Sequence, residues 1–117
     1  MTQSRGFKRW VFAAVAITIL GYGATASCAG NAAALYSQRC VSCHGESGKG
    51  DGPAGKYLNP KPTEFGTSLK GKSDDWIAKA IKSGGPAVGE APVMPAYGDL
   101  SDHQIRELVD YIKKLGS

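Results

Sequence analysis

Apolar positions form three kinds of pattern along this chain. From Trp10 to Leu20 they make one run. From Ser101 to Leu115 they recur at the helical period, at Ile105, Leu108, Val109, Ile112 and Leu115. Between these extremes lie two shorter helix candidates. Asn31 to Arg39 has helix-favouring Ala32, Ala33 and Ala34, with Leu35 and Tyr36 as its apolar side. Ser73 to Ser83 places Trp76, Ile77, Ala80 and Ile81 on one broad stripe, with Lys79 and Lys82 facing out. Its ends are marked: Ser73 is a natural N-cap, Asp74 and Asp75 suit the first turn, and Gly84 and Gly85 stop it. Ser101 and Gln104 form an S-x-x-Q capping box for the last helix, and Gly116 ends it.

The remaining segments cannot be regular. Gly45 to Gly55 holds five glycines and Pro53, which predicts a loop whose backbone can pass close to a flat ligand. Leu58, Pro60, Pro62 and Phe65 continue as an extended segment needing an apolar surface to cover. Pro86 to Leu100 is broken by three prolines and two glycines.

The first run has basic residues before it (Arg5, Lys8, Arg9) and small residues after it, from Gly21 to Ser27. That is the layout of a secretory signal peptide, residues 1–26, with an A-x-A exit at Ala24-Thr25-Ala26. The apolar core is shorter than the roughly 20 residues of a spanning helix. Uncleaved, it would tether the domain to a membrane. The formal charge of +4 comes mostly from this leader. All ten Asp and Glu lie beyond it, with eleven of the fourteen Lys and Arg, so the rest of the chain carries a net +1. A nucleic-acid partner has no support in that balance. Lysines nevertheless crowd the middle: Lys49, Lys56, Lys61, Lys70, Lys72, Lys79 and Lys82. They read either as solvated surface or as a rim that steers an acidic redox partner.

Cys40-Val41-Ser42-Cys43-His44 carries the chemistry. Cysteines three apart lie on one side of a helical turn, so both sulfurs can meet one edge of a macrocycle, and the histidine that follows falls under its metal. This is the spacing of c-type haem attachment, with Cys40 and Cys43 giving thioethers and His44 the proximal nitrogen. A thioredoxin-like dithiol would want a βαβ pattern nearby, and none follows. A zinc site needs four ligands, and only Cys28 and His103 remain outside the motif. His103 falls in the first turn of the last helix and is expected to be exposed. Covalent haem attachment in bacteria happens outside the cytoplasm, so leader and motif support each other.

A domain of this size is marginal without a staple, and the haem takes two of three cysteines. The macrocycle must therefore serve as the missing core. Met94, in Val93-Met94-Pro95, is the one methionine besides Met1. Held in a proline-stiffened loop, it is badly placed to fill a helix face and well placed to point at a metal. Trp76 reads most simply as core, with an N–H suited to a haem propionate.

Together these residues resemble a small class I cytochrome c over roughly Ala32 to Leu115. The features stand in the family's order: the short helix with Leu35 and Tyr36, the haem motif, Gly52-Pro53, a helix ending in Ile81-Lys82-Ser83-Gly84-Gly85, Met94-Pro95, and a last helix with Val109-Asp110-Tyr111-Ile112. The resemblance implies an all-α cytochrome c fold over residues 31–117, with three to four short helices and long loops wrapped around one covalently bound haem. It implies Met94 as sixth iron ligand and the Pro53 carbonyl as acceptor from His44 Nδ1. Ala32 stands where many relatives carry Gly at the crossing with the last helix, and Ala is small enough to keep that crossing. Tyr111 and Ile112 are expected to pack across Tyr36 and Leu35. Relatives of the four-helix c′ type carry the motif near the C-terminus, unlike this chain.

His and Met ligation leaves no open iron site and raises the potential relative to bis-His iron. The expected protein is a monomeric electron carrier of the bacterial periplasm, not an enzyme, exchanging single electrons with redox proteins whose identity the sequence does not name. The alternative is a haem sensor or peroxidase-like enzyme in which Met94 dissociates. A pocket histidine or arginine would favour it, and Arg39, Arg106 and His103 offer nothing obviously distal. Cys28 leaves one more question open. Cleavage after Ala26 would leave it a thiol near the terminus, while Ala26-Ser27-Cys28 also resembles the end of a lipobox, in which a lipidated Cys28 becomes the first residue after a leader of 1–27. The second route makes a membrane-tethered carrier.

Overall fold

A computed structural model describes residues 29–117, and the expectations for the leader and Cys28 lie outside them. Helix α1 spans Ala29–Arg39, and α2 (Val41–His44) follows after the single residue Cys40. Helix α3 is a single turn over Phe65–Ser68, α4 spans Asp74–Ser83, and α5 spans Asp102–Leu115. Two 3₁₀ turns, Gly55–Tyr57 and Gly85–Val88, punctuate the loops. Among the described residues there is no strand. Three helices exceed one turn, and the expected all-α class holds.

The helix ends follow from local chemistry. Ser73 Oγ accepts the Trp76 amide at 3.1 Å, opening α4. Both arms of the capping box form at α5: Ser101 Oγ accepts from the Gln104 amide, and Gln104 Oε1 accepts from the Ser101 amide. Each such cap stabilises a helix start by about 1 kcal/mol. Gly84 ends α4 with φ of 84°, a conformation that costs a residue with a side chain.

The core is the meeting of α1, α4 and α5. Ala32 and Tyr36 of α1, Ile77 and Ile81 of α4, and Ile105, Leu108, Val109 and Ile112 of α5 are all buried. Ala32, only 2% exposed, is buried on α1, the helix that packs against α5. Tyr36 and Tyr111 pack with ring centroids 5.3 Å apart, as the sequence predicts. Tyr36 also donates its hydroxyl to the Gly45 carbonyl at 2.7 Å, so burial of this phenol leaves no polar atom unpaired. That burial raises its pKa. The bond ties α1 to the residue that closes the haem motif.

Candidate functional site: a cleft between the Cys40–His44 helix and the Met94 loop

One deep cleft enters this core. Cys40 lines it from just before α2, Cys43 and His44 from α2, Leu58, Pro60 and Pro62 from the extended segment, and Phe65 from the start of α3. Trp76, Ile77 and Ile81 contribute from α4, Met94 and Tyr97 from the loop beyond, and Leu108 and Ile112 from α5. Its empty space, open mouth included, is about 1180 Å³. The lining is chiefly apolar, which suits a flat macrocycle with polar groups at its rim.

His44 is fixed in its ring plane. Its Nδ1 lies 3.2 Å from the Thr63 carbonyl, and as the donor in that bond it leaves Nε2 for a metal. The Phe65 ring stacks on it at 4.9 Å and 30°. Burial lowers the His44 pKa, opposed by the Thr63 bond, and so favours the neutral, ligating imidazole. Burial raises the Cys40 thiol to about 11.

The Thr63 partner corrects one expectation. Pro53 is exposed and does not line the cleft. The loop that carries it turns back on the carbonyl end of α2. The Gly52 amide donates to the Cys43 carbonyl at 3.2 Å and the Ala54 amide to the Ser42 carbonyl at 2.8 Å. Pro53 is held between those two bonds, while Pro60–Phe65 runs past His44. A second expectation changes with it. None of the five glycines from Gly45 to Gly55 lines the cleft. They approach the chain itself: a Cβ on Gly52 would overlap the Val41 and Ser42 carbonyl oxygens.

Trp76 lines the cleft, half-buried, and the Lys72 ammonium stands 4.3 Å above its ring. His103 is exposed beside Glu107. Arg39, by contrast, does line the cleft. Its Nη1 pairs with Asp99 at 2.8 Å, and its guanidinium lies 5.9 Å from the Tyr97 ring centroid. Thr63 and Tyr97 are the residues that sequence reasoning missed. Thr63 acts through a backbone carbonyl, which has no side-chain signature. Tyr97 had one signal, as the single aromatic of the Pro86–Leu100 segment, three places after Met94.

Residues 29–112 match the family model described as "Cytochrome C oxidase, cbb3-type, subunit III". The chain belongs to that family. It is also 34% identical over 85 residues to the Cbb3-type cytochrome c oxidase subunit FixP of Azorhizobium caulinodans. That alignment covers 72% of this chain and 26% of the relative, so the chain spans about a quarter of that subunit. A single-haem, class I-like cytochrome c domain is thereby shown, and with it one haem c bound through Cys40 and Cys43. The cleft fits this group on its own terms: two thiols on one helical turn, an oriented imidazole beside them, and apolar walls. Such domains transfer electrons through haem c. Among the described residues, no helix is long and apolar enough to cross a membrane.

Proposed function

We propose that the chain is a periplasmic one-electron carrier whose iron is held by His44 and Met94, and that it performs no bond chemistry. The observation that carries this reading is the placement of Met94 and His44 in one cleft from segments far apart in the chain. When bound, haem c supplies a one-electron iron couple. The chain's own part is to orient, exclude and hold. Thr63 orients His44 through Nδ1. Ile77, Ile81, Leu108 and Ile112 exclude water from the cleft floor. The Met94 carbonyl accepts the Gly85 amide at 3.2 Å, which holds the Met94 backbone against the end of α4. A methionine ligand in place of a second histidine favours the reduced iron. Likeness to an oxidase subunit supports redox proteins as partners, a respiratory oxidase among them, and an export route. Tethering through Cys28 or an uncleaved leader belongs to the same reading.

One observation favours the sensor or peroxidase-like alternative: Arg39 lines the cleft. Its guanidinium is engaged by Asp99 and Tyr97, however, which leaves it poorly placed to serve a bound oxidant. Spectra separate the readings. The oxidised protein should show the weak near-infrared charge-transfer band of methionine-ligated haem, and the reduced protein should not bind carbon monoxide. Met94→Ala should abolish the band, lower the potential and admit carbon monoxide. An unchanged band in that variant would assign the ligand elsewhere. Rapid carbon monoxide binding by the unaltered protein would favour the enzyme or sensor.

A further inference from the structure

Tyr97 makes a connection that the carrier role does not by itself require. Its hydroxyl donates to the Arg39 carbonyl at 2.9 Å, across 58 positions of sequence. That carbonyl is among the last of α1, where a helix runs out of amide partners. Arg39 is also the residue directly before Cys40. The Tyr97 amide donates to the Ile81 carbonyl of α4 at 2.9 Å. Arg39 then closes over the Tyr97 ring while pairing with Asp99, two positions further along the same loop. The loop that carries Met94 is thus tied to α4 and its end through Ile81 and Gly85, and at another point to the start of the haem motif.

Elsewhere this loop has little to hold it. Pro92, Val93, Pro95 and Ala96 are exposed, and Val93 is one of the two exposed large apolar side chains of the described residues. A methionine thioether is a weak ligand whose retention depends on how firmly its loop is held. We propose that Tyr97 is the positioning residue for Met94: its hydroxyl, bonded to the Arg39 carbonyl, latches the methionine loop to the end of α1 and sets how readily Met94 gives way to a competing ligand. This rests on the reading of Met94 as an iron ligand.

Tyr97→Phe removes the hydroxyl and keeps the ring. The holoprotein should retain its haem and near-infrared band, while imidazole should displace Met94 from the oxidised protein with an affinity about three- to tenfold higher, the worth of one net hydrogen bond. Ser101→Ala is the control. It removes a helix cap of similar energy outside the cleft and should lower the unfolding midpoint without changing imidazole affinity. An imidazole affinity in Tyr97→Phe equal to that of the unaltered protein would overturn the proposal. So would equal gains in Tyr97→Phe and Ser101→Ala, which would make the effect one of general stability. Should Tyr97→Phe fail to mature, Tyr97→Leu removes the same hydroxyl bond together with the ring. At least the same gain is expected there, and no gain would refute the latch. Met94→Ala with an intact near-infrared band would instead sink the ligation reading on which the latch depends.

Discussion

On the His44 side of the cleft the chain packs against itself. Gly45, Gly48, Gly50, Gly52 and Gly55 are all buried, and the backbone bonds of Gly50, Gly52 and Ala54 return to residues 42–44. The Tyr36 hydroxyl and the Phe65 ring close the same region from α1 and α3. On the Met94 side, the chain from Glu90 to Asp99 is mostly exposed. It is held to the rest of the fold by a few bonds: Glu90 and Met94 to Gly85, Tyr97 to Ile81, and Tyr97 and Asp99 to Arg39. The difference matches the two jobs. Attachment through Cys40 and Cys43 needs a scaffold that presents both sulfurs and one imidazole in fixed positions. The sixth ligand proposed here, Met94, offers a single soft sulfur, and small changes in its loop would be enough to alter its hold on iron.

The largest effect should come from the attachment residues themselves. Replacing both Cys40 and Cys43 by Ser leaves no thioether on the His44 side. Acid extraction should then release all haem, and the mass of the polypeptide should lack it. The apolar lining would lose its core, so far-UV circular dichroism should report a largely unfolded chain. Native-like helix content in the haem-free double variant would show that the His44 side is built without its macrocycle.

Two glycines sharpen the comparison. Gly52→Ala drives a Cβ into the Val41 and Ser42 carbonyls, backbone atoms that cannot swing away. It should cost about 3 kcal/mol, at the upper end of overpacking. Gly89 lies in the Met94 half with φ of 80°, and a Cβ there meets nothing within 4 Å. Gly89→Ala bears only the left-handed backbone cost, about 1 kcal/mol. Denaturant midpoints of the two holoproteins measure both. Equal costs would erase the packing contrast between the two sides.

How much of this was legible in the sequence depends on how far each signal reaches. Both ends of α4 and the cap of α5 rest on residues within four positions of one another, such as Ser73 with Trp76 or Ser101 with Gln104, and they were legible. The haem motif was legible for the same reason, because its chemistry demands fixed spacing. The loop glycines announced a close approach without saying to what; the partners are the α2 backbone for Gly52 and Gly55, the Pro62 carbonyl for Gly50 and the Phe65 ring for Gly48, where a ligand was expected. The acceptor for His44 depends on the route of the Pro60–Phe65 segment, and a carbonyl at Thr63 looks like any other carbonyl. Arg39 and Tyr97 meet across 58 positions, beyond any local pattern.

The smallest effect concerns the cleft mouth and the lysines around it. Not all of the seven are alike. Lys82 pairs with Asp102, lowering the Asp102 pKa, and Lys72 is drawn over Trp76. Lys61 is exposed and lines the cleft between Pro60 and Pro62, where an incoming partner would meet it. If the lysines steer an acidic redox partner, Lys61→Gln should slow bimolecular electron transfer about two- to threefold at low salt, through the association rate. The gap should close near 1 M salt, where screening acts within ~3 Å. Lys113 offers the matched control, being an equally charged lysine paired with Asp74 and absent from the cleft lining. Lys113→Gln should leave the rate within error. Stopped-flow rates at several ionic strengths decide it. A slowing of the same size in both variants would reduce the effect to net charge and leave Lys61 no special place at the mouth. A flat salt profile in the unaltered protein would make all seven lysines ordinary solvated surface.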